Sequence, residues 1–516
     1  MDKILILDYG GQTTQLIGRR IRDMGVYTEI APGEATLSDE LLRDVKGVVM
    51  SGSHYSVNDA DAPQPDKALY ELGVPILGIC YGLQRMNADH GGMVEVASTR
   101  EFGRSRLKYR LSHPLFKDVP EGFASWMSHG DSLLTLAPGL ELVAESENGL
   151  PACVASSAGN FIGIQFHPEV SHCEYGNTIL KNFAAGICGA RAEWSVDYYL
   201  EQIQETLTAR IGEQPVLLLI SGGVDSTVVG ALLLKTMDPA RVHLMYVDTG
   251  LMRKGETEEV TENLKRLGAQ HLHIVHAEDR FLNALAGRSD PEEKRRIIGD
   301  LFMTIQDDEV ARLGLADAFL AQGTLYTDLI ESGHGVGNKG AVIKSHHNVR
   351  SPLVARKREQ GKIIEPLSSL YKDEVRRLGV KLGVAESIIA RHPFPGPGLA
   401  VRILGAVTKE KCSILREADA VYIEELKRRG LYDKIWQAFS VLLPIQSVGV
   451  TGDSRHYGFV LALRAVASAD GMTADVFPFP MQDLLEISSL ITNRINQIGR
   501  VVYDVSSKPP ATIEWE

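Results

Sequence analysis

The most constraining feature of the chain is a strand–turn–helix pattern over residues 216–235. Residues 216–220 are all apolar, as expected of a buried strand, and a helical apolar pattern begins after residue 226. Between them the sequence reads Ser-Gly-Gly-Val-Asp-Ser. Adjacent glycines let backbone N–H groups turn toward an anion, and the helix N-terminus adds partial positive charge. The pattern predicts a phosphate-binding turn; the alternative is an ordinary turn with a serine N-cap.

The side chains of this turn indicate which phosphate chemistry it serves. Ser221 and Ser226 can donate hydrogen bonds, whereas Asp225 would repel phosphates unless a cation such as Mg²⁺ lies between them. The turn lacks the Lys-Ser/Thr ending of a Walker P-loop. It resembles the pyrophosphate loop of N-type ATP pyrophosphatases, which adenylate a substrate oxygen. The resemblance implies that Asp225 holds the metal and that the whole turn binds ATP, through Ser221, Gly222, Gly223, Val224, Asp225 and Ser226.

Composition limits the class of protein. With 516 residues the chain is too long for one hydrophobic core, and its length favours about three domains. A net charge of −12 argues against a general nucleic-acid binder, and no apolar run approaches the roughly 18 residues that span a bilayer. Five irregularly spaced cysteines form neither a disulfide framework nor a zinc motif. We therefore expect a cytoplasmic protein without a prosthetic group or a membrane partner.

Short apolar strands alternate with helical stretches twice, over residues 1–190 and again over 191–391. In the second series the predicted strands are 216–220, 242–247, 271–276 and 318–321. This alternation predicts an α/β fold with two successive domains and mostly parallel sheets. A Pro- and Gly-rich segment at 391–399 interrupts the pattern. Helices and apolar segments then alternate irregularly over 392–516, which predicts a small C-terminal α+β domain.

A second reactive pattern lies in the first domain, where an apolar run leads into Gly78-x-Cys80-x-Gly82. Glycines on both sides of a strand-to-helix turn are typical of a nucleophile elbow, and the helix N-terminus favours the thiolate. His167 follows another predicted strand, and Glu169 lies two residues beyond it. A thiol, an imidazole and a carboxylate can form a nucleophile, a base and an orienting group. Taken alone, Cys80 could equally be a buried structural thiol.

The segments at 78–84 and 163–170 resemble the two diagnostic segments of class I glutamine amidotransferases. The resemblance implies a glutaminase with Cys80 as the nucleophile and His167 and Glu169 completing its triad. It implies an oxyanion hole at Gly52 and Tyr81, and glutamine contacts from Gln84, Ser128, His129 and Gly130. One departure lies beside Gly52, where Ser53-His54 replaces the family's usual Gly-Pro.

Over its full length the chain resembles the glutamine-hydrolysing GMP synthase family, most specifically at Pro-Phe-Pro-Gly-Pro-Gly-Leu (393–399) and at the terminus 507–516. The resemblance implies glutamine, ATP and XMP as substrates, Mg²⁺ with the ATP, and a homodimer formed through the C-terminal domain. Further ATP-binding residues implied by it are Val247, Gly323, Lys344 and Lys372. Those implied for XMP are Arg295, Gln437, Asp453, Lys508, Thr512, Ile513 and Glu514.

Two departures from the family pattern keep other functions open. Besides Ser53-His54, a second departure follows His346 and His347, which match the family's lid loop over the ATP site. There Arg350-Ser351 replaces the usual Gly-Gly, and the basic run at 356–358 follows. These changes would suit a paralogue that aminates a modified purine nucleotide. A non-catalytic sensor of nucleotide or glutamine is a third reading, which the intact triad and phosphate turn disfavour because a sensor needs neither chemistry.

Overall fold

The computed structural model describes residues 1–157, 159–331, 352–451, 454–468 and 473–516. The chain forms two compact units. The first contains residues 1–202 and the helix Tyr326–Glu331, and the second contains residues 203–325 and the described residues from 352 onward. Four residues singled out above lie outside the described residues: Lys344, Arg350, Ser351 and Asp453.

The first unit is built on an eight-stranded sheet in the order β2-β1-β3-β4-β10-β9-β8-β6. The first five strands in this order are parallel and the remaining three antiparallel. Its strands are β1 (Lys3–Asp8), β2 (Tyr27–Pro32), β3 (Val45–Met50), β4 (Ile76–Ile79), β6 (Lys108–Tyr109), β8 (Leu140–Glu145), β9 (Pro151–Ser156) and β10 (Phe161–Ile164). A separate antiparallel ribbon pairs β5 (Met93–Arg106) with β7 (Ala124–Thr135). The helices are α1 (Thr14–Asp23), α2 (Asp39–Leu42), α3 (Tyr81–Asp89), α4 (Gly176–Lys181) and α5 (Val196–Ile211), whose last residues belong to the second unit.

The second unit contains a five-stranded parallel sheet in the order β13-β12-β11-β14-β15. Its strands are β11 (Val216–Ile220), β12 (Val242–Asp248), β13 (His271–His276), β14 (Phe319–Ala321) and β15 (Ile363–Ile364), so the four predicted strands are confirmed. The chain leaves β11 first toward β12 and later returns to its other side with β14. A parallel sheet that reverses its strand order in this way opens a crevice at the carboxyl ends of the strands. The segments that follow β11, β12 and β14 therefore meet at one edge.

The helices of the second unit surround this sheet and continue into the C-terminal part. They are α6 (Val224–Thr236), α7 (Glu256–Arg266), α8 (Glu278–Ala284), α9 (Pro291–Arg312), α11 (Pro352–Glu359), α12 (Lys372–Leu382), α13 (Glu386–Ile389), α14 (Lys409–Arg428) and α15 (Met481–Arg494); α10 is the helix Tyr326–Glu331. Among the described residues no helix has the length and apolarity that crossing a membrane requires.

The C-terminal part adds a small mixed sheet, as predicted. A long hairpin pairs β16 (Gln437–Thr451) with β17 (Ser454–Ala467), and β17 also pairs with β18 (Asp475–Val476) and with β19 (Ile498–Tyr503). One hydrophobic cluster joins Val247 and Phe281 of the parallel-sheet region to Leu415 on α14 and Leu461 on β17. The five-stranded parallel sheet and the C-terminal sheet thus share a single core.

His392, in the Pro- and Gly-rich segment, is buried with both ring nitrogens used. Nδ1 accepts from the Ala438 N–H at 3.2 Å, so Nε2 carries the proton and donates to the Tyr432 carbonyl at 3.0 Å. The ring also stacks on Tyr432 with centroids 3.8 Å apart. Burial, together with the nearby Arg253 cation, lowers the pKa of His392 to about 4. The folded protein therefore holds this imidazole neutral.

This buried imidazole makes the stability of the second unit pH-dependent. Because the folded-state pKa lies below the unfolded value near 6.5, the unfolded chain binds a proton first as the pH falls. The stability that neutral His392 contributes is complete above about pH 6.5 and is lost toward pH 4. Between pH 7 and pH 5 we expect about 2 kcal/mol less unfolding free energy from this group. Urea unfolding at pH 7 and at pH 5 measures this difference in unfolding free energy. The same pH dependence in His392→Gln would contradict its assignment to His392.

Candidate active sites

Cys80 lies on a strained turn between β4 and α3. Its backbone adopts φ 51° and ψ −103°, a conformation that L-residues rarely tolerate and that is typical of a nucleophile elbow, and the thiol itself is buried. A Cβ at Gly78 would lie 2.6 Å from the carbonyl carbon of Gly82, and one at Gly82 would lie 2.3 Å from the Met50 oxygen. Both flanking glycines are therefore required by close packing, as the sequence pattern predicts.

His167 and Glu169 adjoin this elbow. His167 Nδ1 lies 2.7 Å from Glu169 Oε1, and the Cys80 thiol lies near enough to act electrostatically on the imidazole. Burial alone would lower the pKa of His167, but the Glu169 carboxylate and Cys80 outweigh it and hold that pKa well above its usual range. The geometry provides a thiol, a proton acceptor and a carboxylate that stabilises the protonated imidazole.

Gln165 also contacts the thiol, a contact that the sequence analysis did not single out. Its Nε2 lies 3.5 Å from Cys80 Sγ, and its Oε1 accepts from Gln84 Nε2 at 3.3 Å. Gln84 donates as well to the Asp131 carbonyl at 3.0 Å. Gln165 stands two residues before His167 in a segment already matched to the amidotransferases, which was the available signal. Gln84 is thus committed to holding the strand β7 beside the elbow.

The turn after β3 borders the side chains of Cys80 and His167. A Cβ at Gly52 would lie 3.2 Å from His167 Cε1 and 3.8 Å from Cys80 Cβ. Tyr81 is the first residue of α3, where N–H groups have no acceptor within the helix, so its N–H suits an oxyanion. The Ser53 hydroxyl donates to the Tyr9 carbonyl at 2.7 Å and accepts from the Tyr55 N–H at 3.2 Å. In this chain a serine hydroxyl therefore fastens the turn where the family pattern has Gly-Pro.

The side chain of His129 pairs with neighbouring protein groups. The imidazole is buried, with Nε2 3.0 Å from Glu101 Oε2 and Nδ1 2.9 Å from the Asp131 carbonyl. Any contact of His129 with glutamine would have to come from its backbone. Ser128 and Gly130 are its neighbours on β7, and the Ser128 carbonyl lies 3.9 Å from Cys80 Sγ.

The predicted phosphate turn joins β11 to α6. Gly222 has φ 78°, a value that favours glycine, and the Gly223 N–H donates to Ser221 Oγ at 3.3 Å. The hydroxyls of Ser221 and Ser226 lie 3.1 Å apart, and α6 begins at Val224. Two hydroxyls, turn N–H groups and a helix N-terminus thus converge, which is the arrangement that binds phosphate.

Other predicted ATP residues reach this turn from separate elements. Lys372, the first residue of α12, places Nζ 2.6 Å from Asp225 Oδ1. A Cβ at Gly323, just beyond β14, would lie 3.2 Å from the Ser226 nitrogen, so a larger residue would crowd the helix N-terminus. Val247 is buried at the end of β12. Arg391, which the sequence analysis did not assign, donates to the Gly222 carbonyl at 3.0 Å.

The residues predicted for XMP gather around the C-terminal tail. Glu514 accepts from Arg402 Nη2 at 2.8 Å and from Gln437 Nε2 at 2.7 Å. Arg402 is fully buried over the rings of Phe439 and Phe394, and its Nη1 has no hydrogen-bond partner among the described residues. No local sequence pattern marks Arg402, because its pairing with Glu514 spans 112 positions.

Further contacts fix the rest of the tail. Arg295 Nη2 donates to the Glu516 carbonyl at 2.5 Å, and Lys294 Nζ lies 2.5 Å from Glu516 Oε2. Lys508 pairs with Ala474 through their backbones. Thr512 presents its carbonyl to Arg464 Nη2 at 3.2 Å, and Ile513 is buried in a small apolar cluster. The structure thus places Arg295 and Gln437 in contact with the C-terminal tail that carries Glu514.

The basic run after the second sequence departure belongs to α11 and is largely paired. Lys357 is buried, with Nζ 2.6 Å from the Ala316 carbonyl. Arg358 lies 3.9 Å from Glu365, and Arg356 lies 3.8 Å from Asp307. The buried lysine therefore stabilises local structure and adds no free charge to the ATP site.

Comparison with known proteins agrees with this division of chemistry along the chain. Three family models match: glutamine amidotransferase class-I over residues 5–187, asparagine synthase over 199–288 and GMP synthase C terminal domain over 424–515. A solved glutamine amidotransferase from Thermotoga maritima is 19% identical, covers 40% of this chain and 85% of its own, and has a TM-score of 0.28. The family assignment does not depend on that structure.

Curated relatives match from end to end. A glutamine-hydrolysing GMP synthase from Brucella suis is 48% identical over 520 residues, which cover 100% of this chain and 99% of the relative. One from Caldicellulosiruptor saccharolyticus is 47% identical over 513 residues, covering 99% of each. With both reactive sites in place and this similarity over its full length, the chain belongs to the glutamine-hydrolysing GMP synthase family.

Proposed function

We propose that this GMP synthase divides its reaction between the Cys80 site and the Ser221–Ser226 turn. In the first, glutamine is hydrolysed to glutamate and ammonia. In the second, ATP adenylates the C2 oxygen of XMP, and ammonia then displaces AMP to give GMP. The observation that carries this proposal is the presence, in one chain, of a thiol–imidazole–carboxylate set and a pyrophosphate-type turn.

In the glutaminase half, the Cys80 thiolate attacks the side-chain carbonyl of glutamine. His167 takes the thiol proton and gives it to the departing ammonia, while Glu169 stabilises the imidazolium at 2.7 Å. The N–H groups of Gly52 and Tyr81 hold the oxyanion. Water then cleaves the glutamyl thioester, releases glutamate and returns the proton to the thiolate.

In the synthetase half, the turn holds the pyrophosphate that leaves. Its oxygens are bound by the hydroxyls of Ser221 and Ser226 and by the N-terminus of α6. Lys372, which lies beside Asp225, helps to neutralise the charge of the pyrophosphate. Asp225 suits Mg²⁺ because it is a part-exposed carboxylate within the turn, although the described residues contain no group of three ligands. When bound, Mg²⁺ would polarise the phosphates and offset their charge.

We propose that the tail around Glu514 recognises the nucleotide acceptor. Glu514 can accept from a ribose hydroxyl or a purine N–H. The buried Nη1 of Arg402, without a partner in the described part of the chain, is a donor that a ligand oxygen would satisfy. Gln437 Nε2 donates at 2.7 Å to Glu514 Oε1, the oxygen that also accepts from Arg402 Nη2. The remaining XMP assignments, Lys508, Thr512, Ile513 and the undescribed Asp453, stay predictions.

Replacing Glu514 by glutamine should raise the KM for XMP without changing that for ATP. The substitution keeps the shape but removes the charge that Arg402 and a nucleotide donor share. A hydrogen bond to a charged group contributes about 1.5–3 kcal/mol, so we expect a KM increase of roughly tenfold or more. Initial rates against XMP at saturating ATP measure it. Glu410→Gln, on the exposed first turn of α14, is the control; an unchanged KM in Glu514→Gln would remove Glu514 from the site.

One assay tests the whole reaction. The protein is supplied with Mg-ATP and XMP together with glutamine or ammonium, and GMP, pyrophosphate and glutamate are followed. We expect all three products in equal amounts from glutamine, and GMP with pyrophosphate alone from ammonium. Modified purine nucleotides are offered in place of XMP in parallel. Negligible turnover of XMP beside rapid turnover of an analogue would contradict the proposed acceptor.

We propose a homodimer formed through the C-terminal sheet. On the β16–β17 hairpin Val448 and Tyr457 are paired in register, and they are 51% and 60% exposed. Val450, on the same face of β16, is 78% exposed. Such an apolar patch on a hairpin is typical of an interface. Sedimentation velocity should show a dimer that Val450→Glu converts to monomer; a monomeric unmodified protein would contradict the proposal.

A cytoplasmic location stays a prediction. Its support is that all five cysteines are free thiols, four of them buried. Thiols of this kind persist in a reducing compartment, where structural disulfides are rare.

A further inference from the structure

Thr13 is the N-cap residue of α1, but its hydroxyl does not cap the helix. Threonine at a helix N-cap ordinarily accepts a hydrogen bond from an N–H of the first turn. Thr13 makes no such capping bond in this described helix. Its hydroxyl instead donates to Glu169 Oε1 at 2.6 Å, across 156 positions of sequence. A local stabilising contact is thus replaced by one to a residue of the glutaminase site.

Glu169 receives the Thr13 hydrogen bond on a carboxylate that has few other partners. The carboxylate is fully buried, and Oε1 receives both the His167 Nδ1–H at 2.7 Å and the Thr13 hydroxyl. The other oxygen, Oε2, is buried without a hydrogen-bond partner among the described residues. Both described hydrogen bonds therefore fall on one oxygen, and of their two donors only Thr13 lies outside the triad.

The turn that carries Thr13 is itself held in place. Asp8 Oδ1, at the end of β1, accepts from the Gly10 N–H at 2.9 Å and from Thr14 Oγ1 at 2.8 Å. About two turns further along α1, Arg20 Nε donates to the Glu169 carbonyl at 3.3 Å. The β1–α1 connection contacts the side chain of Glu169 and helix α1 contacts its backbone. The position of Thr13 relative to Glu169 is therefore fixed.

We propose that Thr13 is a positioning residue for glutamine hydrolysis. Its hydroxyl keeps the Glu169 carboxylate turned toward His167 and shares the negative charge of Oε1, so that the imidazole stays aimed at Cys80. The inference rests on the proposed roles of Cys80, His167 and Glu169. Thr13 touches neither the thiol nor the substrate carbonyl in this role; it acts through Glu169.

The test compares Thr13→Val, which keeps the shape and removes the donor, with Thr13→Ser, which keeps the donor. We expect Thr13→Val to lower kcat for glutamine hydrolysis about tenfold with little change in the glutamine KM. Without the hydroxyl, Oε1 carries more negative charge toward the imidazole, so the limb of the kcat–pH profile set by His167 should move to higher pH. Thr13→Ser should restore both values, and ammonium-dependent GMP synthesis should be normal in all variants.

Matched variants separate the possible failures. Thr178→Val, on α4, is the control for losing a threonine hydroxyl in the same unit. If Cys80→Ala and Glu169→Gln abolish glutaminase activity while Thr13→Val matches the unmodified enzyme in kcat and pH profile, the Thr13 inference alone is wrong. If Thr13→Ser fails to restore the rate, the hydroxyl is not the cause. If Cys80→Ala retains glutaminase activity, the triad assignment fails and the Thr13 inference with it.

Discussion

Replacing Cys80 by alanine should abolish GMP synthesis from glutamine while leaving synthesis from ammonium intact. The thiol is the only group at the elbow that can form the glutamyl thioester, whereas the phosphate turn and the tail belong to the other unit. We expect glutamate release to fall about a thousandfold or more, because removing a nucleophile removes the covalent route altogether. Parallel assays of glutamate and GMP with each nitrogen source measure both effects.

Two comparisons make this result decisive. Cys173→Ala removes another buried thiol of the same unit, whose pKa burial raises to about 12, and should leave both routes unchanged. Full thermal stability of Cys80→Ala would show that the fold is intact. Loss of ammonium-dependent synthesis in folded Cys80→Ala would mean that the two chemistries are not divided as proposed.

Asp225→Ala should give the complementary result, with GMP synthesis lost from both nitrogen sources. The substitution removes the carboxylate that would hold Mg²⁺ and leaves the Lys372 ammonium without its partner at 2.6 Å. We expect pyrophosphate release to fall at least about a hundredfold, the scale on which lost transition-state charge stabilisation is measured. Glutaminase activity, measured as glutamate release, should persist.

The control for this variant is Asp308→Ala, which removes an exposed carboxylate that pairs with Arg280 on the same unit. It should retain both synthetic routes. Retention of pyrophosphate release in Asp225→Ala would move the metal ligand elsewhere. Loss of glutamate release together with GMP would indicate a damaged fold or obligatory coupling between the activities.

Local patterns carried most of what could be predicted. The turn at Ser221–Ser226 and the elbow at Cys80 are each encoded within about ten consecutive residues, because glycine spacing, a strand and a helix start determine their geometry. That β11, β12 and β14 are parallel was predicted from the alternation of strands and helices, whereas their order in the sheet was not. Such features need no knowledge of distant contacts, so the sequence suffices for them.

Contacts between distant segments could not be predicted in the same way. Nothing local shows that Gln165 would reach the thiol or that Arg402 would meet Glu514. For His129 the motif predicted a contact with glutamine but did not show that Glu101 on the neighbouring strand would pair with the imidazole. Likewise the positive charge of Lys357 is used by carbonyl groups of a preceding loop. Partner choice for long polar side chains depends on packing, which a single sequence does not display.

The shared core of the second unit limits how this enzyme can be taken apart. Because Val247 and Leu461 belong to one apolar cluster, the parallel sheet and the C-terminal sheet of the second unit fold as a single body. A gene fission or a recombination joint inside that body would leave two apolar surfaces facing water. A joint near residue 202 would not divide this core, but it would fall within α5 and would separate the helix Tyr326–Glu331 from the rest of the first unit. Exchange of the ammonia-producing half would therefore have to keep that helix matched to its unit, whereas exchange of the nucleotide acceptor would require the core of the second unit to be repacked.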